Sequence, residues 1–213
     1  QSIMELPEHP VQSVEATATQ LGVHPQNLCI NWRLTIENAK VGEHIIPQSR
    51  LSFACIKHGP KPRLVKSNVQ LDKIIEYISN GNLTDVGILV YYNDLVKQIR
   101  DYFQSRGIPV QWKTKDEMEI DFKSTSPKII TWHCAKGLQF NDVFIPCCGL
   151  DEYKQYVQWS HEPMTEKKSA LYVATTRPLE NLYLLYTNNL APLLPNPNSP
   201  VYSGNAGTNS GPF

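Results

Sequence analysis

The feature that most constrains the fold of this chain is a series of short apolar runs separated by amphipathic segments. Residues 86–92 (Val-Gly-Ile-Leu-Val-Tyr-Tyr) form a continuous apolar run, as is typical of a parallel strand buried on both faces. Similar runs at 129–132, 143–146 and 182–186 predict further strands. Between the runs, apolar residues recur at helical spacing, first at Leu71, Ile74, Ile75 and Ile78 and then at Leu95, Val96, Ile99, Tyr102 and Phe103. This alternation predicts an α/β fold, a mostly parallel sheet with helices on both faces.

The remaining segments give weaker patterns, and each is interpreted from its apolar content and its Pro or Gly boundaries. Pro163 suits a first helical turn and Pro178 stops a helix just beyond Arg177, which predicts a helix over 163–177. The other predictions are helices near 14–21 and over 36–46, strands at 28–30, 51–56 and 63–65, and the start of a strand at 108–110. From about Pro195 the chain is rich in Pro, Asn, Ser and Gly, so we expect little contribution to the core from it.

Composition excludes several classes of protein. The 20 Lys and Arg residues equal the 20 Asp and Glu residues, so no overall positive field attracts nucleic acid and any DNA contact must be local. No apolar run reaches the roughly 18 residues that a membrane span needs, and the start of the sequence lacks a signal-peptide pattern. The five cysteines are an odd number in mostly apolar stretches, which favours reduced thiols in a cytoplasmic protein. The Cys and His spacings of a zinc site are absent, so no metal site is predicted.

Two motifs carry most of the functional information. Residues 131–140 (Thr-Trp-His-Cys-Ala-Lys-Gly-Leu-Gln-Phe) indicate a strand that runs into a loop, where Gly137 has no Cβ to keep a ligand away from the backbone. Residues 171–177 (Leu-Tyr-Val-Ala-Thr-Thr-Arg) indicate a helix that ends on Arg177, whose side chain is expected to reach outward. Together the two motifs resemble motifs V and VI of the UvrD/Rep-type superfamily 1 DNA helicases.

The resemblance to motif V implies roles for the first group of residues. Thr131 and His133 would face the backbone of single-stranded DNA, and the loop of Lys136 and Gly137 would couple DNA to nucleotide, with Lys136 also on the DNA side. At the position where the family has a Glu held against the ribose, this chain has Gln139. A glutamine can still hydrogen-bond a hydroxyl group, but it offers no charged acceptor.

The resemblance also implies a nucleotide site. Arg177 would act on the γ-phosphate of ATP bound mainly by another motor domain, a role typically worth about 10³–10⁵ in rate. Asn31-Trp32-Arg33 resembles the family's Asn-Tyr-Arg-Ser, in which the aromatic residue stacks on adenine and the Arg contacts the γ-phosphate. Gln1-Ser2-Ile3-Met4 resembles the end of motif III, whose Gln senses the γ-phosphate. The resemblance thus assigns Gln1, Trp32, Arg33, Gly137, Gln139 and Arg177 to nucleotide binding.

On this resemblance the chain divides into three parts. Residues 1–27 are expected to hold the end of motif III and a linker from an N-terminal motor domain, 28–190 a RecA-like helicase C-terminal domain (2A), and 191–213 an irregular tail. The fold would be that of P-loop NTPases without a P-loop of its own, since no Gly-Lys-Ser/Thr loop occurs in the sequence. The 20 residues between Val110 and Thr131 leave no room for the accessory insertion called 2B.

The main functional prediction is the C-terminal motor domain of an ATP-dependent superfamily 1 DNA helicase, acting in DNA repair. ATP and Mg²⁺ would be bound in the intact protein and neither by this chain alone; the partners would be single-stranded DNA and the N-terminal motor domain, with no membrane. A catalytically silent helicase-like module that binds DNA or protein is the alternative, favoured by Gln139 and the balanced charge and disfavoured by the two arginines. An RNA helicase fits less well, because the Ala-Lys-Gly-Leu form of motif V belongs to the DNA branch. A thiol enzyme that pairs Cys134 with His133 is disfavoured, because neighbours on a strand point to opposite faces.

Overall fold

The computed structural model describes residues 19–23, 30–81, 83–114, 118–121, 123–159 and 163–203. The strands in these ranges are β1 (Asn31–Thr35), β2 (Cys55–Lys57), β3 (Arg63–Lys66), β4 (Val86–Val90), β5 (Gln111–Lys113), β6 (Met118–Glu119), β7 (Lys128–Thr131), β8 (Phe140–Ile145) and β9 (Pro178–Tyr186). The α-helices are α1 (Ile36–Ile45), α2 (Leu51–Ala54), α3 (Gln70–Asn80), α4 (Asn93–Ser105), α5 (Leu150–Trp159) and α6 (Met164–Thr175). A 3-10 turn covers Pro47–Ser49.

Seven of these strands form one sheet in the order β3-β9-β8-β4-β7-β5-β6. Every pairing in it is parallel except that of β5 with β6, which is antiparallel. The predicted α/β fold with a mostly parallel sheet is therefore confirmed. None of the described helices combines the length and the apolar character that crossing a membrane requires.

Helices cover both faces of the sheet. Successive side chains of each strand point to opposite sides, so one strand contributes to the cores on both faces. On one face, Ile88 of β4 and Phe144 of β8 belong to the core beneath α3 and α4, which α4 completes with Val96, Ile99 and Phe103. On the other face, Leu89 and Ile145 belong to a second core together with residues of α1 and α6. Strand β4 is buried at each of its five positions. This burial on both sides explains why the run that begins at residue 86 is continuously apolar.

A smaller unit of β1, α1, α2 and β2 packs beside the amino end of β9. In this unit β1 pairs in parallel with β2. The Asn38 side-chain amide donates to the Glu180 carbonyl oxygen at 2.8 Å, and the Lys57 ammonium donates to the Leu179 carbonyl oxygen at 3.1 Å. Helix α1 also lies close to the end of α6, since a Cβ added at Gly42 would lie 3.1 Å from Cγ2 of Thr176. The absence of a side chain at Gly42 therefore allows this close packing.

Several predicted boundaries are wrong. Residues 51–56 do not form one strand: Leu51–Ala54 is helical and the strand is Cys55–Lys57. The strand predicted at 28–30 begins at Asn31, with residues 28 and 29 outside the described ranges, and the strand expected from 108–110 begins at Gln111. Helix α5 was not predicted. Of the helix predicted near 14–21, only residues 19–21 are described. They are helical, and the helix ends at Gly22, where φ is +65°.

The prediction of a tail with little core contribution is also wrong for its described part. That prediction runs from about Pro195. Residues 195–203 contain no helix or strand, yet Tyr202 is 4% exposed and belongs to the core beneath α1 and α6, as does Leu194 just before this segment. The Tyr202 hydroxyl donates to the Pro195 carbonyl oxygen at 3.2 Å. A few apolar anchors therefore fix a segment whose composition resembles that of a linker.

We predict that Tyr202→Ala lowers the free energy of unfolding by about 3 kcal/mol, because it removes a buried aromatic ring and leaves a cavity. Urea denaturation of the chain measures this difference. Asn198→Ala in the same segment changes an exposed side chain and should stay within about 0.5 kcal/mol of the parent. Equal effects of the two substitutions would show that the segment does not stabilise the core.

Candidate functional site

A cleft of about 310 Å³ lies where the small unit meets the amino ends of β8 and β9. Gly137 and Gln139 precede β8, Thr176 and Arg177 precede β9, and Asn31 and Arg33 come from β1. The parallel pairing of β8 with β9 places the first two groups side by side. The full set of lining residues is Asn31, Arg33, Leu34, Leu51, Gly137, Gln139, Tyr172, Thr176 and Arg177.

The Arg177 side chain is held against the protein by three hydrogen bonds. Its Nε donates to the Val173 carbonyl oxygen at 2.9 Å, Nη1 to the Leu138 carbonyl oxygen at 3.3 Å, and Nη2 to the Thr176 hydroxyl at 3.0 Å. The expectation that Arg177 reaches outward is therefore wrong. A guanidinium carries five N–H donors, so two remain beyond these three bonds. The side chain is fixed in place at the wall of the cleft before any ligand enters.

The cleft concentrates positive charge. Burial and the nearby charge of Arg33 lower the pKa of the Arg177 guanidinium. An arginine remains protonated in proteins even so, so the two side chains repel each other as cations. Among the described residues that line the cleft there is no carboxylate to neutralise them. An anion that contacts both arginines would relieve this repulsion.

The loop before β8 lies beside Arg177 in the cleft wall. Gly137 has φ of +85°, a left-handed conformation that favours glycine, and it is exposed. Two residues later Gln139 is half-buried in the cleft wall. An exposed glycine backbone followed by an amide side chain can approach and hydrogen-bond a hydroxylated ligand.

Trp32 is not among the residues that line the cleft. Trp32 is 71% exposed and directly precedes Arg33 on β1. The structure thus brings four of the six predicted nucleotide residues into the cleft wall and leaves Trp32 exposed next to them. Gln1 lies outside the described residues.

The predicted DNA residues lie away from the cleft, along the segment that joins β7 to β8. Thr131 ends β7, and residues 132–137 form successive turns. Thr131 is 5% exposed and its hydroxyl accepts a hydrogen bond from the Cys134 amide at 3.3 Å, so it shapes the first turn. His133 is half-buried and Lys136 is exposed. The DNA roles of these three residues stay predictions.

The segment is anchored at its start by Trp132. This residue is 6% exposed, its Nε1 donates to the Leu89 carbonyl oxygen at 3.2 Å, and its ring packs against Tyr91 and Tyr156. Because β7 and β8 are both parallel to β4, the segment runs from the carboxyl end of one strand to the amino end of the other. It therefore connects the sheet edge of Thr131 with the cleft.

Sequence reasoning missed five of the lining residues. Tyr172 and Thr176 are four residues apart in the second motif, so helical spacing could have placed them on one side of α6. Asn31 and Leu34 flank the Trp-Arg pair already singled out. Leu51 gave no signal, because its segment was predicted as a strand. His133 and Cys134 lie in turns, so the strand argument against pairing them rested on a wrong premise.

The chemistry of the lining residues fits a phosphorylated, hydroxylated ligand. Two guanidinium groups suit phosphate oxygens, which accept their paired N–H donors. Magnesium in phosphate sites is usually held through one or two carboxylates, and none of the described lining residues carries a carboxylate. Throughout the described part of the chain, no three His, Cys, Asp or Glu side chains come together as a metal site would require.

Comparison with known proteins finds similar sequences. Residues 111–189 match the family model of the UvrD-like helicase C-terminal domain. A protein of Acanthamoeba polyphaga mimivirus named "Putative ATP-dependent DNA helicase R568" is 26% identical over 186 residues, which is 76% of this chain and 26% of that protein. The chain thus spans about a quarter of the length of this relative.

A solved structure shares the fold. The crystal structure of the C-terminal domain of a possible DNA helicase from Lactobacillus plantarum WCFS1 superposes with a TM-score of 0.59. The superposition covers 81% of this chain and 98% of that one, at 16% identity. At this identity the likeness concerns the fold alone.

We predict that pyrophosphate binds in the cleft and stabilises the chain, because it can contact both arginines at once. A ligand at ten times its Kd adds about 1.4 kcal/mol to the free energy of unfolding. Thermal melting in sodium pyrophosphate, compared with sodium chloride at equal ionic strength, measures the effect. The double substitution Arg33→Gln and Arg177→Gln should abolish it, and a persistent shift would place the anion elsewhere.

Proposed function

We propose that this chain, whose residues 111–189 match the family model of the UvrD-like helicase C-terminal domain, serves as the C-terminal motor domain of an ATP-dependent superfamily 1 DNA helicase. The observation that supports this proposal best is the convergence of Arg33 and Arg177, 144 positions apart in the sequence, on one cleft beside an exposed Trp32. ATP would be shared with a second domain that supplies the phosphate loop and the Mg²⁺ ligands. Neither is found among the residues that line the cleft here.

In the proposed site each residue has a separate task. The Trp32 indole offers a planar surface on which adenine stacks, an interaction of about 1–3 kcal/mol per base in comparable cases. Gln139 hydrogen-bonds a ribose hydroxyl. Arg33 and Arg177 contact the γ-phosphate, where they neutralise the negative charge that develops as the phosphoryl group is transferred.

The hydrogen bonds of Arg177 support this task. A catalytic cation is most effective when it is held in position before the reaction, since no free energy is then spent on reorienting it. Three of the five donors of Arg177 fix the group, and the other two are left for the phosphate. This arrangement is that of a preorganised arginine rather than a mobile surface cation.

The segment from Thr131 to Gln139 would couple the nucleotide to DNA. His133 and Lys136 would contact the phosphate backbone of single-stranded DNA, which suits a chain with no net charge because the contact is local. Thr131 would contribute mainly by shaping the turn that carries His133. The same segment ends in the cleft wall at Gly137 and Gln139, and Trp132 anchors its start. A movement of the backbone at the DNA contacts would therefore reach the nucleotide through only a few residues.

The test is the ATPase rate of the full-length protein with Arg177→Ala. We expect a loss of about 10³-fold or more in kcat, because one cation is removed from the phosphate that is transferred. Nucleotide binding, measured with labelled ADP, should change much less, because this diphosphate lacks the γ-phosphate. Arg177→Lys keeps the charge but not the fork of donors, and it should recover only part of the rate.

Arg106→Ala is the matched control, since Arg106 is exposed at the end of α4 and pairs with Asp72. Its ATPase rate should equal that of the parent, and melting temperatures check that all variants fold. If Arg177→Ala hydrolyses ATP at the parental rate, the motor assignment is wrong. A catalytically silent module that binds DNA or protein would then be the better interpretation.

A further inference from the structure

Strand β1 is irregular at the point where it meets the cleft. Asn31 pairs with Cys55 and Thr35 pairs with Lys57, so the three residues 32–34 of β1 stand opposite the single residue Ile56 of β2. The two extra residues form a bulge, a feature that redirects side chains away from a regular sheet surface. Leu34 points inward and is 4% exposed, whereas Trp32 is 71% exposed.

The side chain of Asn31 closes this bulge. Its Oδ1 accepts hydrogen bonds from the Arg33 amide at 3.0 Å and from the Leu34 amide at 3.1 Å. An asparagine that bonds the backbone two and three residues ahead forms a local turn without help from the sheet ladder. One carbonyl oxygen therefore fixes the backbone on which both Trp32 and Arg33 are mounted.

We infer that Asn31 is a positioning residue that sets the indole of Trp32 and the guanidinium of Arg33 together for nucleotide binding. The inference rests on the proposed function, which assigns the base to the first group and the phosphate to the second. Neither group is buried enough to be held by packing, because both residues are exposed. In the described structure, residues 32–34 donate two backbone hydrogen bonds to a side chain, and the Asn31 oxygen accepts both. Without that oxygen both bonds are lost.

This role predicts a specific non-additivity. Residues that act through one another show coupled effects on substitution, whereas independent residues show additive ones. Asn31→Ala should weaken binding of labelled ADP and raise KM for ATP about tenfold in the full-length protein. Because Asn31 acts through Arg33 and Trp32, Asn31→Ala should add little once both Trp32→Ala and Arg33→Ala are already present.

The test compares these variants with Asn31→Ser and Asn188→Ala. A serine oxygen can accept the same amide hydrogens, though more weakly, so it should restore part of the affinity. Asn188 is an exposed asparagine outside the cleft, and its replacement should leave KM unchanged. The positioning role would be overturned if Asn31→Ala lowered the nucleotide affinity as much in the Trp32→Ala, Arg33→Ala double variant as it does in the parent. It would also be overturned if Asn31→Ser restored none of the affinity.

A second measurement does not depend on nucleotide. In the isolated chain, ¹⁵N relaxation should give Arg33 and Leu34 amides an order parameter of about 0.85, falling below about 0.6 in Asn31→Ala. An unchanged order parameter would overturn the inference even if activity falls. The two proposals can fail separately. If Arg33→Ala leaves ATP binding and turnover intact, the proposed function is wrong. If Asn31→Ala still lowers the order parameters in that case, Asn31 nevertheless positions the backbone of this segment.

Discussion

The parallel pairing of β8 with β9 is the constraint on which the site depends. Both strands begin directly after a segment that lines the cleft, so their register fixes how the two segments meet. Phe140 is paired with Pro178, and the Phe140 amide donates to the Arg177 carbonyl oxygen at 3.2 Å. Gly137 and Gln139 are thereby held beside Arg177. The pairing lies inside a sheet with apolar cores on both faces, so displacing it would disturb both cores.

The second wall of the cleft depends on how the small unit docks on β9. Asn38 and Lys57 bond the carbonyl oxygens of Glu180 and Leu179, within the first three residues of that strand. Arg33 is therefore held close to Arg177 although like charges repel, and the cost of that repulsion is carried by the packing of the surrounding fold. Because an anion between the two arginines relieves their repulsion, the site favours the anion-bound state.

The sequence predicts the fold well where periodicity is strong. The fully apolar run of β4 and the apolar stripe of α4 predict their elements because burial on both faces or on one face imposes the pattern. Residues 51–56 were misassigned because a short apolar run is compatible with a helix or a strand. The described tail was underestimated because composition does not reveal that Leu194 and Tyr202 are buried. In the site, the motifs singled out both arginines, and the structure places both in one cleft. The hydrogen bonds that hold Arg177 and the turn at Asn31 depend on backbone carbonyls and amides, which no residue pattern records.

We propose that Arg33 and Arg177 bind one anionic group in one cleft. The most direct measurement is an NMR titration of the arginine Nε–Hε signals of this chain with a non-hydrolysable ATP analogue. We expect the signals of Arg33 and Arg177 to shift along one common saturation curve, while that of Arg106 does not move. Separate curves for the two arginines, or a shift of one without the other, would contradict it.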